Sequence, residues 1–223
     1  MVIIGNSAAA IDGPSRALAE ALELYRAPEG SAEALGEYAR LLRRSRGWAG
    51  LISSSMAEAQ EAPMGQSLTL LEAIENERLE VVDVGSGGGL MGIPIAVARP
   101  GWTVTLLERS GRKCAFLAEA IGLLDLENTT VLRGDAAAFA GMEFDLAMSR
   151  ASGGIVDMSR VVMPLLSRSG RYVALRGDAA REEAEQARDR LAVLGARLVG
   201  VREAGVTLEP ELRRTSLVVI EKL

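Results

Sequence analysis

A glycine cluster beside an acidic residue is the part of this sequence best suited to bind a nucleotide. An apolar run containing Asp83 leads into the glycines at 85–89, and a helical pattern follows. Glycines at a strand-to-helix turn adopt positive φ and let a ligand approach the backbone, while the next helix offers unpaired amides. A tight turn that merely needs glycine is the alternative. We expect a cofactor site that includes Asp83, Gly85, Ser86, Gly87 and Gly89.

A second acidic residue stands where a ribose-binding carboxylate is found in nucleotide-binding folds. Glu108 ends the next apolar run, about 20 residues beyond the glycines. Such a carboxylate accepts hydrogen bonds from both ribose hydroxyls, although a glutamate at a strand end is often only solvated. Residues 87–92 also fit the G-x-G-x-x-G pattern of dinucleotide-binding proteins. Glu108 therefore predicts an adenosine-containing cofactor without distinguishing NAD from S-adenosylmethionine (SAM).

Composition excludes several kinds of chemistry. The chain has no histidine, which removes Ser-His-Asp and Cys-His nucleophiles, a histidine base and histidine metal sites, and we expect no metal. The single cysteine, Cys114, cannot form an intramolecular disulfide, and we expect a cytoplasmic protein. No apolar run approaches the roughly 20 residues of a membrane helix. The net charge of −5 disfavours a uniformly basic nucleic-acid binder but permits a local basic face.

Short apolar runs alternate with helical patterns over the last two thirds of the chain. This alternation predicts an α/β fold of the Rossmann-like type, with a mostly parallel seven-stranded sheet and helices on both faces. The last two strands lack a helix between them, so we expect one of them to run antiparallel. The predicted strands are 79–84, 103–107, 130–132, 144–148, 171–175, 197–201 and 215–220, and the predicted helices are 89–98, 112–123, 155–166 and 179–194.

The N-terminal third has a different character. We expect residues 1–12 to be poorly ordered. Residues 13–46 have helical periodicity, and a connection that contains Pro63 and Gly65 leads to a short helix at about 67–74. The sequence thus predicts a helical extension over 13–76 and an α/β domain over 77–223.

The spacing Asp83-x-Gly85-x-Gly87-x-Gly89 resembles the first motif of SAM-dependent methyltransferases. In that family the loop surrounds the methionine part of SAM, and the acidic residue organises the loop or the ligand amine. The resemblance implies that 77–223 is a SAM-dependent methyltransferase domain. It also implies a ribose contact at Glu108, with Arg109 beside it, and an adenine contact from Asp135 or the amide of Ala136.

Five segments together resemble a narrower group, the bacterial 16S rRNA (guanine-N7)-methyltransferases, or glucose-inhibited division protein B family. Upstream the family pattern is mostly absent, and only Ser67-Leu68 matches clearly. The resemblance implies a monomer that acts on 16S rRNA or the small ribosomal subunit. A small-molecule methyltransferase and a nonenzymatic SAM- or RNA-binding relative remain alternatives. The matching segments are 82–94, 106–113, 149–151, 175–177 and 213–222.

Methylation at guanine N7 suits a chain without histidine, because N7 attacks with its own lone pair and no proton must be removed. We expect Arg150 to border the cofactor and the target base and to act as the catalytic residue, the alternative being an ordinary ion pair. Basic residues expected to contact RNA, with solvated surfaces as the alternative, are Arg112, Lys113, Arg176 and Arg214. The same two alternatives apply to a further arginine group at 40–46.

Overall fold

The computed structural model describes residues 15–45, 61–74, 78–150, 153–208 and 215–223. Within these ranges seven strands form one sheet with the order β3-β2-β1-β4-β5-β7-β6. The predicted fold class is confirmed. The strands are β1 (Glu80–Val84), β2 (Thr103–Glu108), β3 (Thr129–Arg133), β4 (Phe144–Arg150), β5 (Leu166–Arg176), β6 (Ala196–Ala204) and β7 (Thr215–Lys222).

Helices precede the sheet and connect most of its strands. Short 3₁₀ helices at Thr69–Ala73, Ala136–Phe139 and Met163–Leu165 complete the connections. The one at Ala136–Phe139 lies between β3 and β4, where the sequence predicted no helix. The α-helices are α1 (Arg16–Leu24), α2 (Ser31–Arg44), α3 (Glu61–Leu68), α4 (Gly92–Ala98), α5 (Gly111–Leu123), α6 (Ile155–Val162) and α7 (Ala180–Val193).

Strand direction follows the connections. β1 pairs in parallel with β2 and β4, and the parallel arrangement continues to β3 and β5. β7 lies between β5 and β6 and runs antiparallel to both. The antiparallel strand expected from the missing helix is therefore β7. A short connection from β6 cannot carry the chain back to the far edge of the sheet, as a parallel crossover requires.

Side chains of successive strand residues alternate between two apolar cores. Val81 belongs to the core under α1 to α5, whereas its neighbour Val82 belongs to the core under α6 and α7. Burial on both faces is what continuous apolar strands of a parallel sheet require. The N-terminal helices share the first core with the sheet, since Leu18 and Leu35 are fully buried in it.

Three details of the predicted elements are wrong. The helical stretch at 13–46 is two helices in the described residues, because the chain turns through Pro28 and Gly30, whose φ is +84°. The predicted connection around Pro63 and Gly65 is part of α3. Proline fits there because it stands in the first helical turn, where its missing amide would have had no partner.

The third error concerns the region near residue 166. The helix predicted to reach Leu166 ends as α6 at Val162, and Pro164 stands in the 3₁₀ turn that follows. β5 then starts at Leu166, earlier than the predicted residue 171. The apolar residues 162–166 fit either pattern, so periodicity could not place this boundary.

The strand order creates a crevice at one edge of the sheet. From β1 the chain continues to β2 and β3 on one side and then returns to β4 on the other. Connections at the carboxyl ends of β1 and β4 therefore lead in opposite directions, and ligands of open α/β sheets bind at such a point.

Candidate functional site

The loop between β1 and α4, residues 85–91, forms one wall of this crevice. It contains the glycines predicted to bind the cofactor, and we call it the cofactor loop. Gly85, Gly87 and Gly89 have φ values of +76°, +60° and +82°, a region that residues with a Cβ atom avoid. The amides of Gly85 and Ser86 donate to the carbonyl oxygen of Leu107 at 2.9 and 3.1 Å. The loop is thereby folded back onto the end of β2.

Asp83 connects the end of β1 to the start of α4. One carboxylate oxygen accepts a hydrogen bond of 3.1 Å from the amide of Gly92, and the Ser86 hydroxyl donates to the Asp83 carbonyl at 2.9 Å. Burial raises the pKa of Asp83 to about 7, and the charge of Glu108 adds to the increase. A Cβ on Gly92 would lie 2.1 Å from Cδ2 of Leu106. The two hydrogen bonds show that Asp83 holds both ends of the loop, through its carbonyl at Ser86 and its carboxylate at Gly92.

Glu108 lies on the opposite side of the loop, at the end of β2. Its carboxylate accepts hydrogen bonds from the amide of Gly87 at 3.0 Å and from the amide of Ser110 at 2.9 Å. The side chain is 7% exposed, so it is not the merely solvated glutamate that the sequence left open. Two backbone donors fix the carboxylate, whose remaining lone pairs are the kind of acceptor a ribose requires.

The end of β3 contributes the next predicted residues. The amide of Gly134 donates to the carbonyl of Glu108 at 3.1 Å, which holds this end beside β2. Asp135 is exposed and accepts a bond of 3.0 Å from the amide of Ala137, whereas Ala136 is buried. The structure thus brings Asp135 and Ala136 to the same edge as Glu108 and the cofactor loop.

Arg150 forms the other wall, as the last residue of β4 and not after it as predicted. Its Nη1 donates to the carbonyl of Pro63 and its Nη2 to Oε1 of Gln66, each at 2.7 Å. Burial lowers the pKa of this guanidinium, which remains charged at neutral pH. Arg150 therefore fixes α3 to the carboxyl end of the sheet.

A cavity of about 480 Å³ opens beside Arg150, between α3, the end of β5 and the start of α7. Arg176 lines it and donates from Nη1 to the carbonyl of Gly153 at 2.6 Å. Among the described residues, its Nε and Nη2 are buried without a hydrogen-bond partner. Burial raises the pKa of Tyr172, and the nearby Arg176 opposes that increase. Across the cavity Glu183 accepts a bond of 2.8 Å from the amide of Ile155.

The other predicted RNA contacts are only partly described. Arg109, Arg112 and Lys113 follow β2 and open α5 at the carboxyl edge, where Arg109 and Arg112 are exposed. On α2, Arg43 and Arg44 are exposed near its C-terminus. Arg46, Arg213 and Arg214, like residues 1–12, lie outside the described residues.

Sequence reasoning missed the residues of α2 and α3 that contact the site. Tyr38 belongs to the stretch for which the sequence predicted only helical periodicity, yet its hydroxyl donates to the carbonyl of Gly88. Gln66 meets Arg150, and Ser67 meets the carbonyl of Leu90 at 2.8 Å. A contact across 50 residues leaves no local pattern, and the match at Ser67-Leu68 was the one available signal.

The described residues contain neither a candidate metal site nor a candidate membrane-spanning helix. No group of three or more cysteine, aspartate or glutamate side chains there is arranged to hold a metal ion. No helix in the described ranges is long and apolar enough to cross a membrane.

Comparison with known proteins gives this geometry a context. Residues 31–211 match the sequence profile of a family described as rRNA small subunit methyltransferase G. Ribosomal RNA small subunit methyltransferase G of Corynebacterium diphtheriae is 36% identical over 152 residues, which cover 66% of this chain and 67% of the relative. The protein of the same name from Streptomyces avermitilis is 34% identical over 197 residues, which cover 84% and 83%.

A solved structure shares the fold at lower identity. The M. jannaschii protein TYW2 in complex with AdoMet superposes with a TM-score of 0.52 and 18% identity, covering 76% of this chain and 75% of that one. At this identity the likeness shows the fold alone.

Proposed function

The chain belongs to the rRNA small subunit methyltransferase G family, and on that premise we propose that it transfers a methyl group from SAM to N7 of a guanine in 16S rRNA. The observation that carries the proposal is the family match over residues 31–211, which spans both the cofactor loop and the Arg150 wall. The substrate is 16S rRNA or the small ribosomal subunit. The enzyme acts as a monomer in the cytoplasm, without a metal.

The residues at the end of β1 and β2 fit SAM. The positive φ values of Gly85 and Gly87 leave the loop backbone open to a close ligand. Glu108 is fixed beside Gly87 and serves the ribose hydroxyls, next to Arg109. Asp83 shapes the loop around the methionine part, and Asp135 with the amide of Ala136 contacts the adenine. Bound SAM supplies an electrophilic methyl group.

The target base is assigned to the side of Arg150. Because both Nη groups of Arg150 donate to α3, the planar face of the guanidinium is the surface that stacks on a base. Guanine N7 needs no general base, so alignment of N7 with the sulfur–methyl bond is what the protein must provide. The adjoining cavity of about 480 Å³ receives the target nucleotide.

Basic side chains along the same edge hold the RNA backbone. We assign phosphate contacts to Arg112 and Lys113 at the start of α5 and to Arg176 at the end of β5. Arg214, which lies outside the described residues, is given the same role from the sequence alone. Contacts of this kind release counterions, so the affinity for RNA falls steeply as salt increases.

Transfer of tritium from methyl-labelled SAM tests the proposal directly. We expect label in 16S rRNA, offered as naked RNA or as 30S particles from a strain that lacks the enzyme, and none in a metabolite extract. Cleavage of the labelled RNA at N7-methylguanine then identifies the base. Label in a metabolite fraction would support a small-molecule methyltransferase, and label at another RNA atom would overturn the N7 assignment.

A further inference from the structure

The N-terminal helices contact the cofactor loop through two buried hydroxyl groups. Tyr38 on α2 is fully buried, and its hydroxyl donates to the carbonyl oxygen of Gly88. Burial, with the nearby charge of Asp83, raises the pKa of this phenol well above 10, so it stays protonated and remains a donor. The Gly88 carbonyl has its direction set by a residue 50 positions away.

The position of the Tyr38 ring is itself fixed. Its centroid lies 6.5 Å from that of Phe116 on α5, with the rings inclined at 42°. A Cβ on Gly89 would lie 3.0 Å from the Tyr38 hydroxyl and 2.8 Å from side-chain carbons of Ile93 and Leu117. The loop backbone therefore rests directly on these side chains and has no space to retreat from the crevice.

Ser67 on α3 makes a second contact with the same loop. Its buried hydroxyl lies 2.8 Å from the carbonyl of Leu90 and 2.9 Å from the carbonyl of Pro63. One hydroxyl has a single proton, so it donates to these two acceptors in alternation. The next residue back, Gln66, meets Arg150 of the opposite wall. α3 thus joins the two walls of the crevice.

We propose that Tyr38 and Ser67 are positioning residues that hold the cofactor loop in its SAM-binding shape before SAM arrives. A loop with several positive φ values loses much conformational freedom when it is ordered. If the two hydroxyls order it in the free protein, less of that entropy is lost on binding, and affinity for the cofactor rises. The inference concerns the SAM site and does not depend on the RNA target.

Binding of S-adenosylhomocysteine by calorimetry tests the inference without RNA or turnover. Tyr38→Phe keeps the ring and deletes the hydroxyl, and we expect Kd to rise about five- to tenfold, the equivalent of one buried hydrogen bond. The KM for SAM should rise similarly, while kcat at saturating SAM stays within about twofold. Ser67→Ala, which loses a shared bond, should raise Kd about threefold.

Matched controls separate positioning from general stability. Tyr25→Phe removes a phenol hydroxyl in the same helical layer, 2.5 Å from Oε1 of Glu72 and outside the loop. Thr69→Ala removes a hydroxyl that bonds the Gln66 carbonyl at 2.6 Å. We expect both controls to lower the Tm yet bind S-adenosylhomocysteine as the parent does. The inference would be overturned if Tyr38→Phe and Ser67→Ala bound S-adenosylhomocysteine as tightly as the parent. It would also be overturned if the two control variants lost as much affinity as these variants do.

Discussion

The two sides of the carboxyl edge differ in how completely their charged groups are hydrogen-bonded. On the β1–β2 side, the carboxylates of Asp83 and Glu108 accept bonds from backbone amides. On the β4–β5 side, Arg176 keeps two buried donors without a partner among the described residues. An unsatisfied buried donor costs free energy that an acceptor from a ligand offsets. Under the proposed function we call the β1–β2 side the cofactor side and the β4–β5 side the target side. The cofactor side has its carboxylates bonded by the described backbone, and we propose that the substrate supplies acceptors to Arg176 on the target side.

The largest expected effect is on the target side. Arg150→Ala should reduce methyl transfer at least about 100-fold, because alignment of the base is lost. Binding of S-adenosylhomocysteine should stay within about threefold of the parent, since the residues at the ends of β1 and β2 are unchanged. Filter-bound tritium and calorimetry measure the two quantities.

Two variants keep this result interpretable. Gln66→Ala removes one of the groups that Arg150 holds but leaves Arg150 in place, so transfer should remain within about tenfold of the parent. Arg188→Ala removes an exposed arginine of α7 that pairs with Glu185 and should change neither quantity. Equal losses in Arg150→Ala and Gln66→Ala would mean that Arg150 acts only by fixing α3.

The next effect belongs to the cofactor side. Glu108→Gln puts an amide where two backbone donors need an acceptor, and it removes the charged acceptor for the ribose. We expect the Kd for S-adenosylhomocysteine to rise about 10- to 100-fold, as hydrogen bonds to charged groups contribute roughly 1.5–3 kcal/mol. Glu183→Gln, the matched change on the target side, should leave this Kd unchanged. If Glu108→Gln and Glu183→Gln had a similar Kd for S-adenosylhomocysteine, cofactor binding would not distinguish the two sides of the carboxyl edge.

The raised pKa of Asp83 predicts that the stability of the folded chain depends on pH. Its pKa is raised to about 7 in the folded chain, so between about pH 4 and 7 the folded state holds a proton that the unfolded state has released. The stability contributed by Asp83 is fully present below pH 4 and is lost as pH rises through 7. Urea unfolding should show the free energy of unfolding of the parent falling by about 2 kcal/mol between pH 5 and 7 relative to Asp83→Asn. Parallel curves for the two proteins would contradict the raised pKa.

The smallest effect concerns RNA affinity. Replacing Arg112 and Lys113 with glutamine should weaken rRNA binding several-fold and reduce the slope of log Kd against log salt by about two, one unit for each lost phosphate contact. Binding of S-adenosylhomocysteine should not change. The control is Arg188→Gln, which replaces an exposed arginine away from this edge. An unchanged slope in the double variant would mean that Arg112 and Lys113 do not contact phosphate and are only solvated.

Much of the fold and half of the site followed from local patterns. The alternating apolar runs predicted all seven strands to within a few residues, apart from the start of β5, and the family resemblance is confirmed by the match over residues 31–211. The glycine spacing and the acid at 108 predicted a cofactor side at the ends of β1 and β2, and the structure places these residues together there because they are neighbours of strand ends. Periodicity failed at α3, where Pro63 and Gly65 suggested a connection and burial against α1 and α4 stabilises a helix instead.

The sequence by itself determined the cofactor loop, the acidic residues beside it and the order of the elements that present them, since each depends on short-range spacing. Only the tertiary structure decided that Tyr38 and Ser67 support the loop and that Arg150 holds α3. Such contacts join residues 23 to 87 positions apart. They arise when the N-terminal helices bury their apolar faces against one another and against α4 and α5. No periodicity in the chain encodes which polar groups then meet.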